Sequence, residues 1–140
     1  MAAERTLAII KPDAVAANNI GNILTIVENK KFTIKKAQML RLSKRRAEGF
    51  YATHYGKSFF SDLTDFMSSG PILVMVLEGE NAITRWRESM GVTNPAEAAP
   101  GTIRKLYGTS VERNATHGSD GVQTSAFEIS YFFPGYEMAE

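Results

Sequence analysis

Ile72 to Leu77 is an unbroken apolar run that follows the turn signal Gly70-Pro71. A run this short and this apolar marks a strand at the centre of a sheet. Thr6 to Ile10 is a second compact apolar run, stopped by Pro12. It reads as a buried strand whose end delivers Lys11. A third strand is expected over 32–42, with an alternation that changes phase across Lys35-Lys36 and so implies a bulge or bend. A short fourth strand is expected through Ala115 to His117.

Helical spacing separates these runs. Ile20, Ile23, Leu24 and Val27 share one helix face, and Ala82, Ile83, Trp86 and Met90 share another, closed by Gly91. Ser43 is expected to cap a helix carrying Ala47, Phe50, Tyr51 and His54, ended by Gly56. Phe59, Phe60, Leu63, Phe66 and Met67 form a further short helix, broken by Gly70-Pro71. Asp120 is expected to cap a last helix bearing Val122, Ala126, Ile129 and Phe133, with Gln123 completing a capping box. Pro134-Gly135 ends it and leaves a short tail. The stretch 91–113, rich in Pro and Gly, reads as a functional loop with one helical turn over 102–107. Strands alternating with helices indicate an α/β or α+β sandwich, with no strand order legible.

The chain has 140 residues, 44% of them apolar and 22% charged, which suits a single domain spanning 1–140. Its net charge of +1 offers no general nucleic-acid surface. There is no cysteine, so disulfides and thiolate metal sites are excluded. The start of the chain lacks the apolar core of a signal peptide, and no stretch is long enough to span a bilayer. A soluble cytoplasmic protein is expected.

Asn114-Ala115-Thr116-His117-Gly118-Ser119-Asp120 sets one of the chain's two histidines among small polar residues. Imidazole is a good nucleophile and is largely uncharged near neutral pH. Gly118 lacks side-chain bulk, so a large polyanion is expected to approach there. Read alone, a loop histidine is as readily structural as chemical. His54 reads as a structural residue on an aromatic helix face. Neither glycine-rich phosphate-loop pattern occurs, so phosphates would need discrete side chains. Lys11, Arg87, Arg104 and Arg113 are candidate cations, though each alone fits a solvated surface charge. Phe59 and Tyr51 fit a core, or a stacking surface for a base. Glu128 fits solvent exposure, or an acceptor for the His117 ring N–H. The histidines have no metal-ligand spacing. One at a time, these residues leave the function open.

Their order does not. Ile10-Lys11-Pro12-Asp13-Ala14, Gly49-Phe50-Tyr51, Gly70-Pro71-Ile72, Thr93-Asn94-Pro95, Pro100-Gly101-Thr102-Ile103-Arg104 and the 114–120 run follow one another along the whole chain. This ordered set resembles the nucleoside diphosphate kinases. Gly121, where the family often has serine, and Lys105-Leu106-Tyr107 depart from its commonest pattern.

The resemblance implies an α+β, ferredoxin-like sandwich with a four-stranded antiparallel sheet covered by helices. It implies transfer of a γ-phosphoryl group from a nucleoside triphosphate to a nucleoside diphosphate, by a ping-pong route through a phosphohistidine at His117. Lys11, Arg87, Thr93 and Arg104 would hold phosphates or the sugar, and Asn114 would bond the ribose. Phe59 would stack on the base with Val111 opposite. Tyr51 would line the site, and Ser119 and Glu128 would orient His117. Mg²⁺ would be bound through the nucleotide phosphates rather than by a protein metal site. A homo-oligomer is implied, a tetramer or hexamer built from dimers. The rival is a non-catalytic nucleotide-binding regulatory module, which would need no nucleophile at position 117.

Overall fold

The structure, a computed structural model, describes residues 3–135. The first two residues and the end of the expected tail, 136–140, lie outside the described residues. Four strands, β1 (Glu4–Ile10), β2 (Thr33–Leu40), β3 (Ile72–Gly79) and β4 (Thr116–Gly118), form one sheet in the order β2-β3-β1-β4. All neighbouring pairs are antiparallel. The two apolar runs, β1 and β3, therefore take the centre. Their side chains alternate between two apolar layers. Leu7, Ile9, Ile72, Val74 and Val76 face one layer, and Ala8, Ile10, Leu73, Met75 and Leu77 face the other.

Helices cover both faces. Against Leu7 and Ile9 pack α3 (Lys44–Phe50), α4 (Phe60–Met67) and α7 (Val122–Phe132), through Phe50, Phe66 and Ile129. Against Ala8 and Ile10 pack α1 (Pro12–Ala16), α2 (Ile20–Asn29), α5 (Ala82–Met90) and α6 (Ile103–Tyr107), through Ala14, Ile23, Trp86 and Ile103. The result is the ferredoxin-like α+β sandwich.

The register of β2 against β3 shifts between Ile34 and Lys36, at the phase change in the sequence. Ser43 caps α3, its hydroxyl accepting from the Arg46 N–H at 3.1 Å. That helix ends at Phe50, earlier than its spacing suggests, and a 3₁₀ turn over Ala52–His54 carries the chain onward to Gly56. Phe59 precedes α4 as its N-cap residue. Asp120 does not cap α7. The N-cap is Gly121, with no side-chain bond, so the expected capping box does not form. The five residues of α1 are too short a helix to show a period. The 91–113 stretch contains a 3₁₀ turn at Pro95–Glu97 and α6, capped by Thr102.

Candidate active site

β1 and β4 build the centre of the site. Residue 117 lies opposite Ile9, while Lys11 follows the end of β1 and its N–H donates to the Ala115 carbonyl at 2.8 Å. Ala115 has a φ of +75°, and the Thr116 N–H reaches back to the Asn114 carbonyl at 2.9 Å. This is a γ-turn of the rare positive-φ kind, one residue short of the strand. The Asp13 carboxylate braces it by accepting the Ala115 N–H at 3.1 Å. Sequence reading gave Asp13 no role. Its only signal there was membership of the Lys11-Pro12-Asp13 run.

The His117 ring projects to the α3–α7 side. Its Nε2 lies 3.0 Å from Glu128 Oε1 on α7. The Ser119 hydroxyl donates to the same oxygen at 2.7 Å and accepts the Leu7 N–H at 3.2 Å. Glu128 is only 6% exposed, so the reading of it as a solvent-facing carboxylate is wrong. A carboxylate only accepts, so the neutral imidazole that suits this contact is the tautomer with its proton on Nε2 and its lone pair on Nδ1. Phe50 and Tyr51 present their rings to the imidazole at 5.3 and 6.0 Å.

Positive charge crowds beside this group. Lys11 Nζ donates to Asn114 Oδ1 at 2.8 Å, and Asn114 Nδ2 donates to the Thr93 carbonyl at 3.1 Å. Burial, then the charge of Arg104, lowers the Lys11 ammonium to about 8. Arg104 donates to the Gly91 carbonyl at 3.0 Å and the Thr116 carbonyl at 2.9 Å, while its Nε is buried without a partner. Burial, then Arg87, lowers Arg104 to about 10. Desolvated cations that destabilise one another make a site that an anion relieves. A cleft of about 670 Å³ opens beside them, lined by Arg87, Gly91, Thr93, Thr102, Arg104 and Asp120. The lining stops short of His117. Arg104 joins the two, through its bond to the residue preceding the histidine.

Tyr51 has a buried hydroxyl with no partner. Burial, then the charge of Glu128, pushes its phenol well above the usual range. A row of rings leads outward from His117: His54 lies 6.3 Å from Tyr51 and 5.4 Å from Phe59. His54 thus packs half-buried between Tyr51 and Phe59, in keeping with its reading as a structural residue, but on the 3₁₀ turn rather than on α3. Phe59 is 46% exposed and Val111, in the loop after α6, is 56% exposed. Arg113 is not in this group. Its guanidinium lies 4.8 Å over the Phe66 ring, beside a separate pocket. Gly118 also departs from expectation. A Cβ there would lie 2.5 Å from Trp86 Cδ1 and 2.8 Å from Met90 Cε. Its missing side chain makes room for a packed indole, not for a polyanion.

A family model described as "Nucleoside diphosphate kinase" matches residues 4–138. The chain belongs to the nucleoside diphosphate kinase family. A nucleoside diphosphate kinase of Syntrophotalea carbinolica is 56% identical over 135 residues, covering 96% of this chain and 98% of its own. One from Chlamydia abortus is also 56% identical, over 96% of each chain. The crystal structure of the Aquifex aeolicus nucleoside diphosphate kinase superposes with a TM-score of 0.94 at 44% identity, covering 97% of this chain and 99% of that one. A halophilic member from Halobacterium salinarum, solved in complex with CDP, gives 0.90 at 39% identity, covering 95% and 89%. The chain is accordingly a phosphotransferase of this family, with nucleotides as substrates. Among the described residues, no helix is long and apolar enough to cross a membrane.

Proposed function

We propose that this nucleoside diphosphate kinase works by a ping-pong route in which His117 carries the phosphoryl group. The observation that carries the proposal is the His117–Glu128–Ser119 chain of bonds, which leaves Nδ1 as the free nucleophile. The Nδ1 lone pair attacks the γ-phosphorus of the donor triphosphate. The N–P bond forms, the bond from phosphorus to the bridging oxygen breaks, and its electron pair leaves with the diphosphate. The ring becomes cationic, and Glu128 stabilises that charge through the Nε2 proton. An acceptor diphosphate then reverses the step.

Lys11, Arg87, Thr93 and Arg104 hold phosphates and sugar, and Asn114 bonds the ribose while keeping Lys11 in place. Tyr51 walls the reacting centre. Phe59 and Val111 sandwich the base by its faces, which admits any base because each has a π-face. The Halobacterium salinarum relative was solved with CDP, and a nucleoside diphosphate is the ligand class we assign to this cleft. The Asp120 carboxylate lines the cleft and would meet Mg²⁺ carried in on the nucleotide phosphates. When bound, Mg²⁺ supplies charge neutralisation on the phosphates.

Residues 1–140 act as one domain, in a cytoplasmic homo-oligomer, tetramer or hexamer, built from dimers. A pure nucleotide binder has no use for an imidazole whose far nitrogen is fixed on a buried carboxylate. Incubation with γ-labelled ATP tests the reading. It predicts label that survives alkali, is lost in acid, and is absent from His117→Gln. Label retained by that variant would contradict it.

A further inference from the structure

Trp86 is the chain's sole tryptophan and is fully buried on α5. Its ring meets Phe32 edge to face at 5.9 Å and fills the space left open at Gly118. Packing alone would be satisfied by any large apolar ring. The indole also has one donor, and a buried donor needs an acceptor. That acceptor is the main-chain carbonyl of His117, 3.2 Å from Trp86 Nε1.

The placement matters because of where β4 lies. It is an edge strand of three residues, paired among the described residues with β1 alone. The flanking bonds, Lys11 N–H to the Ala115 carbonyl and Ser119 N–H to the Leu7 carbonyl, make Ile9 and His117 a hydrogen-bonded pair by the alternation of an antiparallel ladder. The His117 carbonyl has two lone pairs, and the second takes the indole. Side chains alternate across a strand. His117 therefore sends its ring to the Glu128 side, while Gly118 opens toward Trp86 on the other. The next residue on α5, Arg87, lines the phosphate-side cleft.

We infer that Trp86 is a positioning residue for phosphoryl transfer: its indole N–H ties α5, which carries Arg87, to the backbone of His117, so that the phosphate-binding side chain and the nucleophile move as one body. The inference rests on the reading of His117 as the phosphoryl carrier. One helix then sets the separation between the bound phosphates and Nδ1. In-line transfer is steeply sensitive to that separation. The Glu128 bond orients the ring about its own axis. The Trp86 bond fixes where the ring is attached. Gly118 is the condition for it, since a Cβ there would displace the indole.

The test uses the full chain. Because there is one tryptophan, growth of a tryptophan auxotroph on 3-benzothienylalanine replaces this position alone, with sulfur in place of the N–H. Trp86→Phe removes the same donor genetically. Each protein is compared with the unsubstituted one for single-turnover phosphorylation of His117 by ATP, for ADP affinity and for thermal midpoint. The expected result is phosphorylation slowed by roughly 3–10-fold, the scale of one lost hydrogen bond expressed in the transition state, with ADP affinity unchanged within about twofold. Phosphorylation at the unsubstituted rate in the benzothienyl protein overturns the inference, and the indole only packs. An equal fall in rate and ADP affinity also overturns it, because that is general loosening. No label on His117 in the unsubstituted protein overturns the phosphohistidine reading itself, and the positioning role with it.

Discussion

Glu128 Oε1 accepts from both His117 Nε2, at 3.0 Å, and the Ser119 hydroxyl, at 2.7 Å. One buried oxygen therefore decides which imidazole nitrogen is protonated and holds the ring still. Glu128→Gln keeps the size and loses the charge. Single-turnover phosphorylation by ATP is expected to slow by roughly 10–100-fold, the worth of a charge-assisted bond, with ADP affinity little changed. Superimposable rate–pH profiles for the two proteins would remove Glu128 from the mechanism.

Arg104 lines the cleft and bonds the Thr116 carbonyl beside His117, and Lys11 bonds Asn114 close to the Arg104 charge. Arg104→Ala and Lys11→Ala are each expected to lower steady-state turnover by about 10²–10³-fold. Arg113→Ala, whose guanidinium lies over Phe66, is expected to leave turnover within about twofold. Equal effects at positions 104 and 113 would contradict the placement of charge in the site.

Lys11 couples stability and binding to pH. Its folded value, about 8, lies below the unfolded 10.5. The unfolded chain therefore holds the proton more tightly, and this group's contribution to stability rises as pH increases from about 8 to 10.5. Phosphates held at Lys11, as proposed, would favour the charged ammonium and raise its pKa. Below about 8 the group is charged with or without ligand, so binding there moves no proton at Lys11. Near pH 9, ADP binding is expected to take up a proton, measured by calorimetry in buffers of different ionisation enthalpy. Lys11→Met is expected to abolish that uptake, and an identical proton count in the variant would refute the assignment.

Phe59 is an exposed ring at the head of α4, so its removal costs little packing. Phe59→Ala is expected to weaken ADP binding by about 1–3 kcal/mol while saturating ATP still phosphorylates His117. His54→Gln, one ring further in, is expected to retain phosphoryl transfer. Unchanged ADP affinity in Phe59→Ala, read by equilibrium titration, would place the base elsewhere.

The parts of this molecule legible in its sequence are those fixed by local pattern. β1 and β3 could be read because strands at the sheet centre are apolar throughout, and the β2 bulge because a phase change is visible residue by residue. Ser43 could be read because capping is a contact across three residues. What failed was non-local. Gly118 invites the reading of an open approach, and the indole that fills it comes from Trp86, on a different element far back along the chain. Asp120 has a capping residue's chemistry, but the backbone enters α7 at Gly121. The burial of Glu128 is not legible, and its contact with His117 is implied only by the family resemblance, since nothing local to α7 announces the histidine across from it. Asp13 gives no signal for the same reason, because the Ala115 N–H that its carboxylate accepts comes from the far end of the chain.

On the proposed route His117 itself carries the phosphoryl group between nucleotides. The most direct measurement separates the two half-reactions. The protein is phosphorylated with γ-labelled ATP, freed of nucleotide on a desalting column, and mixed with CDP. Labelled CTP is expected in an amount equal to the labelled protein, with none from His117→Gln carried through the same steps. Label that stays on the protein, or leaves only as inorganic phosphate, would contradict that route.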